Sequence, residues 1–451
     1  FVHTLLSMTG PKTIQPFFDK DDSIITLFNG EIYNYKTYGN YNSDGECLIP
    51  LYKNYGFNFI KKLDGEFAII LLDLKKNILI FSTDIFSTKP IWFSTQNGEW
   101  GLSSYESCLK RIGFETALQV EANSTYILKL DTLKIIKRIN VYDFNLNQHK
   151  NDYKDFFTAF ENSIKKRTTN IKHGIFIGLS SGYDSGAIAC ELNRQKINYT
   201  SYSIIGSENK EVINNRISKI ADSRLIDLKL MDFLWSRLYL NCNIEDYKMN
   251  IDNGEDELYE LWNNRYQDEC DKSDKIREAL SKENSSKILN KKEINNKDKN
   301  LILKKIKSIK ELIDYRNNYK ITDDNGSIGL GHICNKAKKE GKLIYLSGSG
   351  SDEIFSDYGF NGIKHFRHST IGGKFTKNLD EIFPWKNFFD NTQRAYLMKE
   401  EYVSGAYGIE GRYPFLDKDL VQEFFYLSLD LKNKAYKSPL SNYLKKYNFP
   451  N

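Results

Sequence analysis

This 451-residue sequence is poor in features that would place it outside the cell or in a membrane. Its six cysteines (Cys47, Cys108, Cys190, Cys242, Cys270, Cys334) show no paired spacing of the kind that builds a disulfide framework or a zinc centre. They read as reduced thiols of a cytoplasmic protein. No apolar run approaches membrane-spanning length, and no secretory signal is visible. Charge of one sign is also lacking. The net charge is +5, and much of the basicity lies in one lysine-rich tract, so nucleic acid is not demanded. Histidine is sparse. His365 and His368 stand close together, but no third ligand is spaced suitably nearby, so they are read as structural or surface residues. There is no Gly-Lys-Ser/Thr after a glycine-rich turn, which excludes a Walker A loop.

What is present is a pair of Ser/Gly turns. Gly174-Ile175-Phe176-Ile177-Gly178-Leu179 is a short apolar run bounded by glycines, as expected of a buried parallel strand. It leads into Ser180-Ser181-Gly182-Tyr183-Asp184-Ser185-Gly186. Ala187-Ile188-Ala189-Cys190-Glu191-Leu192 then suits the first turns of a helix. Small side chains at such a turn let backbone N–H groups and hydroxyls approach phosphate oxygens, and the helix N-terminus adds further donors. Asp184 would set a carboxylate where Mg²⁺ can bridge to those phosphates, so the turn points to ATP. Taken alone, it could equally be a plain strand–helix connector. A second apolar run, Leu343-Ile344-Tyr345-Leu346, enters Ser347-Gly348-Ser349-Gly350-Ser351-Asp352-Glu353. Two such turns at the carboxyl edge of one sheet would bring Asp184 and Asp352 onto a shared metal–pyrophosphate unit.

The chain divides coarsely. Residues 1 to about 140 are strand-rich, with alternation in Ser23-Ile24-Ile25-Thr26-Leu27-Phe28 and Asn77-Ile78-Leu79-Ile80-Phe81, which predicts stacked antiparallel sheets. From 141 to 451 helical patterns alternate with short apolar strands, the signature of a parallel α/β domain. Between about 264 and 320 Lys, Asn, Glu and Asp dominate, while Leu301, Ile302, Ile306, Ile309 and Leu312 recur at helical spacing. This predicts a charged helical excursion or a partly disordered insert.

These motifs, taken in order, resemble the asparagine synthetase family, which includes β-lactam synthetase and lasso-peptide cyclase relatives. The two turns are similar to its pyrophosphatase loop and its Leu-Ser-Gly-x-Gly-Ser/Ala-Asp-Glu segment. Gly408-Ile409-Glu410-Gly411-Arg412-Tyr413-Pro414-Phe415-Leu416-Asp417 and Lys437-Ser438-Pro439-Leu440 resemble its later motifs. Upstream, Asn29-Gly30-Glu31-Ile32-Tyr33-Asn34, Leu63-Asp64-Gly65-Glu66-Phe67-Ala68-Ile69-Ile70 and Thr83-Asp84 with Lys89-Pro90-Ile91-Trp92 resemble its glutaminase domain.

The resemblance implies an α+β domain followed by an α/β domain. The first is an Ntn-type glutaminase-like unit, N-terminally incomplete, and the second an ATP-pyrophosphatase of the adenine nucleotide alpha hydrolase type. It implies activation of a carboxylate as an acyl-adenylate with ATP and Mg²⁺, then attack by ammonia or an amine. Ser180, Ser181, Gly182, Asp184 and Ser185 would hold pyrophosphate, and Leu179, Ile204, Ser347 and Gly348 would line the nucleotide pocket. Asp184 and Asp352 would hold the metal, and Lys437 would act on developing negative charge. In the other half Asn29 and Gly30 would donate to an oxyanion, while Glu31 and Asp44 would hold a glutamine α-amino group. Isolated from its motif, Asn29-Gly30 is simply a good hairpin turn. Glu245-Asp246-Tyr247 would border the acceptor pocket or be surface carboxylates.

Three departures from the family pattern narrow the expected chemistry. Leu5 falls where the family has an arginine gripping the glutamine α-carboxylate, and the family's N-terminal cysteine nucleophile precedes the matched segment. Together these argue against glutamine hydrolysis. Ser349 replaces a loop glutamate expected to assist the attacking ammonia, which argues against plain aspartate amidation. Ser181 replaces a glycine, a mild change if its φ is negative. The leading expectation is an AMP-forming amide synthetase taking a small-molecule or peptide carboxylate. The alternatives are a glutamine-hydrolysing asparagine synthetase and a non-catalytic ATP-binding scaffold. The family commonly forms dimers.

Overall fold

A computed structural model describes residues 1–4, 6–204, 208–226 and 325–451, with the backbone alone at 325 and 328. Leu5, Glu245-Asp246-Tyr247 and the charged tract at 264–320 lie outside the described residues. The first nine strands are β1 (Phe17–Phe18), β2 (Ile24–Ile32), β3 (Gly65–Asp73), β4 (Ile78–Thr83), β5 (Trp92–Gln96), β6 (Glu99–Ser103), β7 (Leu118–Gln119), β8 (Ser124–Lys129) and β9 (Lys134–Asn140). They form two antiparallel sheets, β1-β2-β3-β4-β8-β9 and β6-β5-β7. One face of the larger sheet packs on the smaller through Leu79, Phe81, Ile91 and Leu128, with Phe81 stacked on Phe93 at 5.0 Å. The other face packs through Ile69, Leu71 and Ile80 on the helix Leu48–Tyr55. β4 is covered on both faces, which is why its residues are buried throughout rather than alternately.

Asn29 and Gly30 lie inside β2, opposite Ala68 and Phe67, and not in a hairpin turn. The local signal for a turn gives way here to a nine-residue ladder with β3, which only a distant segment can supply. Gly30 has φ +124°, and a Cβ there would sit 1.9 Å from the Glu66 carbonyl oxygen, so no other residue fits.

The second half is built on a parallel sheet of β10 (Gly174–Gly178), β11 (Tyr199–Ile204), β12 (Ser223–Ile226), β13 (Lys342–Leu346) and β16 (Glu410–Arg412), in the order β12-β11-β10-β13-β16. Between them in the chain lies a small hairpin of β14 (Gly359–Phe360) and β15 (Ile363–Lys364). Helices Lys154–Thr168, Tyr183–Arg194 and Ser438–Lys446 cover one face through Phe156, Phe160, Ile188, Leu440 and Tyr443. Helices Asn325–Lys339 and Thr392–Ala406 cover the other through Ile333, Cys334, Ala337 and Val403. The described chain is therefore antiparallel first and parallel α/β second, and one apolar cluster runs from Leu48 and Ile69 to Phe415 and Tyr443. Among the described residues no helix is long and apolar enough to cross a membrane.

Strand order reverses between β10 and β13. The chain moves from β10 to β11 and β12 in one direction, then returns to place β13 and β16 on the other side. Open α/β sheets leave a crevice at the carboxyl ends of strands flanking such a point. The two Ser/Gly turns follow those two strands.

Candidate functional site

The first turn leaves β10 at Leu179, whose N–H donates to the Tyr202 carbonyl and whose side chain is buried. Ser180 N–H donates to Ser185 Oγ at 3.0 Å, the two hydroxyls lie 2.8 Å apart, and Gly182 N–H donates to Ser180 Oγ at 3.1 Å. The turn thus closes on its own hydroxyls before the helix Tyr183–Arg194 begins. Ser181 keeps a negative φ, so serine is accommodated there without left-handed strain. Its N–H and hydroxyl both donate to Glu208 Oε2, the former at 2.7 Å. A carboxylate already sits on the donors expected to meet phosphate. Arg216, fully buried beneath the turn, donates to the Ser180 and Gly182 carbonyls and turns them inward.

The second turn leaves β13 at Ser347, whose N–H donates to the Arg412 carbonyl. Gly350 has φ +95°, and a Cβ there would overlap the Leu416 side chain at 2.2 Å. Glycine lets the chain turn sharply into the helix Ser351–Phe355 and aim Asp352 at the first turn. A Cβ at Gly348 would lie 3.1 Å from Asp184 Cβ, so the two turns touch. Ser351 Oγ donates to Asp184 Oδ1 at 2.6 Å. Ile204 closes β11 beside the helix carrying Gly329, on the opposite face of the sheet from helix Tyr183–Arg194.

Lys437 joins the turns. It caps the helix Ser438–Lys446 with φ +45°, a left-handed conformation that costs a side-chain-bearing residue about 1–3 kcal/mol. Its buried ammonium donates to both Asp184 oxygens at 2.7 Å and lies 2.7 Å from Asp352 Oδ1. Tyr436 OH donates to that same Asp352 oxygen at 2.7 Å. Burial works against the Lys437 charge, but Asp184 and Asp352 outweigh it and hold the group above the ordinary lysine range. Burial also pushes Asp184 up, against Lys437 and with help from Asp352. Glu353, accepting from Gly350 N–H at 3.1 Å and from Tyr358, is pushed up to about 7 by burial and then by Asp352.

A cavity of about 450 Å³ opens here, lined by Ser181, Gly182, Asp184, Asp352, Tyr436 and Lys437 among others. Asp184 and Asp352, converging on one ammonium, suit a Mg²⁺ ion that takes one or two carboxylates and completes its sphere with phosphate and water. Among the described residues no cluster of three or more His, Cys, Asp or Glu could hold a metal by itself.

In the antiparallel half, Glu31 and Asp44 come together. Asp44 accepts from the Ile32 N–H at 2.8 Å and the Gly45 N–H at 3.0 Å. Glu31 accepts from Thr9 Oγ1 at 2.9 and 3.0 Å and lies 3.0 Å from an Arg412 Nη2 of the parallel half. Burial, then Glu410, raises Glu31 well above the carboxylate range, with Arg412 opposing. Asn29 is exposed, and both it and Gly30 are held in the ladder. The same junction holds Glu66, Arg167 and Asp417, with Arg167 donating to Glu66 at 2.7 Å and Asp417 at 3.0 Å. Lys89 donates to Glu401 at 2.6 Å and to the Gly411 carbonyl at 2.8 Å. The His365 ring lies 5.3 Å from that of Tyr436, tilted against it, and His368 Nδ1 lies 3.1 Å from Thr392 Oγ1.

Burial pushes Asp44 up to about 6, against its two N–H donors. A carboxyl raised in the folded state binds extra protons between its ordinary value of about 4 and its folded one, so stability falls as pH rises through that window. One such group changes stability by at most about 1.4 kcal/mol per pH unit. We expect Asp44→Asn to flatten the pH dependence of the urea midpoint between pH 4 and 6. An unchanged slope would mean that Asp44 titrates as it does in the unfolded chain.

Sequence reasoning singled out the two turns, Asp184, Asp352 and Lys437, and the structure brings them together. It missed Glu208, Arg216 and Tyr436 because none belongs to a recognisable motif. Tyr436 alone had a signal, its place beside Lys437.

Residues 1–142 match the family described as glutamine amidotransferase domain. A Methanocaldococcus jannaschii protein bearing the name glutamine-hydrolyzing asparagine synthetase 1 is 24% identical over 474 residues, covering 98% of this chain and 70% of its own. The glutamine-hydrolyzing asparagine synthetase 1 of Arabidopsis thaliana is 23% identical over 457 residues, and the match spans 96% of this chain but 64% of the plant protein. The amidase chyE of Penicillium rubens is 37% identical over 103 residues, 21% of this chain and 15% of its own. Among solved structures, a glutamine phosphoribosylpyrophosphate amidotransferase from B. subtilis, complexed with ADP and GMP, covers 37% of this chain and 43% of its own at 18% identity. Its TM-score of 0.25 is too low to bear on the fold.

Proposed function

Because the chain belongs to the asparagine synthetase family, we propose that it joins a carboxylate to ammonia or an amine while cleaving ATP to AMP and pyrophosphate. The relationship supports an amidotransferase or ligase function. The AMP-forming step is supported by one observation above others, the convergence of both Ser/Gly turns, Asp184, Asp352 and Lys437 on one cleft at the sheet's switch point.

In this reading residues 1–140 are the amidotransferase-like domain and 141–451 the ATP-cleaving one. Ser180, Ser181, Gly182 and Ser185 hold pyrophosphate through hydroxyls and N–H groups, and Glu208 gives way as it enters. Leu179, Ile204, Ser347 and Gly348 line the nucleotide pocket. Mg²⁺, held by Asp184 and Asp352, would neutralise charge on the phosphates. The Lys437 ammonium faces the negative charge that grows on the α-phosphate and then on the tetrahedral oxyanion. Its pairing with two carboxylates keeps it protonated and oriented before the nucleotide arrives.

A second reading is favoured by the amidotransferase match over residues 1–142 and by the closeness of Glu31 to Asp44. In it the antiparallel half supplies ammonia from glutamine and the product is asparagine. Its difficulty is that Glu31 is engaged by Thr9 and Arg412.

ATP–pyrophosphate exchange tests both readings, with Mg²⁺ and aspartate first and then a panel of other carboxylates. Exchange that depends on an added acid is expected. Exchange with aspartate, followed by amide formation from glutamine, would favour the second reading. Exchange with another acid alone would identify a repurposed amide synthetase, and exchange with none would overturn both in favour of a scaffold.

A further inference from the structure

The first turn is held from one side by a single short helix. Ser181 N–H donates to Glu208 Oε2 at 2.7 Å, and the Ser181 hydroxyl donates to the same oxygen. That hydroxyl in turn accepts from the Asn209 N–H at 3.3 Å. Asn209 caps the helix Lys210–Ile217, its side chain accepting from the Glu211 and Val212 N–H groups at 3.1 and 3.2 Å. Arg216, near the far end of that helix, holds the Ser180 and Gly182 carbonyls. The helix therefore grips the turn twice. Its Arg216 end takes acceptors, and its Glu208 end takes donors on a residue that lines the cavity.

A carboxylate oxygen and a phosphate oxygen make the same demand on an N–H and a hydroxyl, and both cannot be met at once. Hydrogen bonds to an ionised acceptor are the strong class, so Glu208 competes well for these donors. Its place just ahead of a capped helix tethers it to the turn, so its effective concentration stays high when another anion displaces it. Ser181 adds to the hold. A glycine there would offer the N–H alone, and serine supplies the second bond. Pyrophosphate meets this competitor at the moment it must leave. Once cleaved from ATP, it keeps the phosphate contacts made with the turn and carries an additional negative charge, so a cradle of unopposed donors would release it slowly.

We propose that Glu208 is a resident anion that competes with pyrophosphate for the Ser181 donors, weakening the hold on this product and reclaiming the turn as it leaves. The inference rests on the pyrophosphate site of the reading above. A ligand that needs those donors free is bound less tightly by the fraction of chains in which Glu208 has let go. Glu208 acts on binding and release alone, and it makes and breaks no covalent bond.

Calorimetric titration with inorganic pyrophosphate and Mg²⁺ reads the site directly and needs no acceptor acid. Glu208→Ala should bind pyrophosphate about 10-fold tighter or more than the unaltered chain, and should release it correspondingly more slowly. Glu211→Gln removes an exposed charge from the first turn of the same helix, and it should tighten binding by no more than about 2-fold, because a solvated charge is screened. In a Ser181→Gly background the gain from Glu208→Ala should shrink, since half of the clasp is already gone. A gain matched by Glu211→Gln, or undiminished beside Ser181→Gly, would make Glu208 a charge acting through the general field and overturn the proposal. Weaker or unchanged binding by Glu208→Ala would make it a brace for the turn and overturn it equally. If neither the unaltered chain nor Glu208→Ala binds pyrophosphate, the pyrophosphate site itself falls and this inference falls with it.

Discussion

Replacing Lys437 by methionine should abolish measurable ATP–pyrophosphate exchange and lower the stability of the chain at the same time. The two effects have one origin. The Lys437 ammonium is the buried group that lets Asp184 and Asp352 approach one another, with 2.7 Å contacts to each carboxylate. Without it two carboxylates face one another across a cleft whose floor is buried. Removing one partner of a fully buried ion pair costs about 3–5 kcal/mol. Both aspartates keep some access to water, at 20% and 29% exposure, so the loss here should be about 2 kcal/mol, read from urea unfolding. Loss of one preorganised charge facing the reacting phosphate should lower exchange about 100- to 1,000-fold. A distinctive consequence concerns Mg²⁺. With the lysine gone, both carboxylates are free for a cation, so Mg²⁺ should stabilise the variant more than the unaltered chain. Equal stabilisation of both proteins would remove Asp184 and Asp352 as metal ligands.

The largest loss of stability is expected from Arg167→Met. Arg167 is 2% exposed and fixes Glu66 from the antiparallel half and Asp417 from the parallel half, themselves 3% and 1% exposed. Its own carbonyl accepts from Arg412 at 2.7 Å, and Glu66 also accepts the Tyr413 N–H at 2.9 Å. With its two carboxylates the guanidinium is therefore, among the described residues, the most buried of the ties across the junction. Truncating it leaves the buried Glu66 without its charged partner and takes one of two cations from Asp417, which keeps Lys166, and should cost about 3–5 kcal/mol in urea unfolding. Arg167→Lys should recover little, because a point charge cannot serve both acceptors in the fork geometry. The pair Arg167→Met with Glu66→Gln should cost less than the two single changes added, since the second removes a charge the first has stranded. A loss below about 1 kcal/mol for Arg167→Met would show that the halves are held by apolar contacts such as Phe86 on Phe388, with the ion pairs contributing little.

Burial raises Asp417, yet Lys166 and Arg167 outweigh it and keep the group below the ordinary aspartate range. A depressed carboxyl contributes stability that is present above its unfolded value and lost as pH falls through its folded one. The junction is thus an acid-sensitive part of the chain, in the opposite sense to Asp44.

What the sequence determined by itself was local. An apolar run of five or six residues, followed by small hydroxyl residues and then a helical pattern, fixes a strand–turn–helix without reference to any other part of the chain. That is why β10, β13 and both Ser/Gly turns lie where the pattern predicts. Lys437 was legible only through the resemblance of Lys437-Ser438-Pro439-Leu440 to a family motif; the structure adds that a helix starts there, with proline in the first turn where a missing N–H costs nothing. The tertiary structure decided partners. Glu400 reaches Ser349 across 51 residues of sequence, Glu208 reaches Ser181 across 27, and Arg412 crosses to Glu31 from the other half of the molecule. Isolated from its motif, the Asn29-Gly30 dipeptide favours a hairpin, yet it lies within a strand because β3 runs alongside it. Backbone preference acts over a few residues, so it can be read in order along the chain. A carboxylate or a guanidinium, once desolvated, takes whichever donor or charge the packing brings within about 3 Å, and that distance is set by the whole fold.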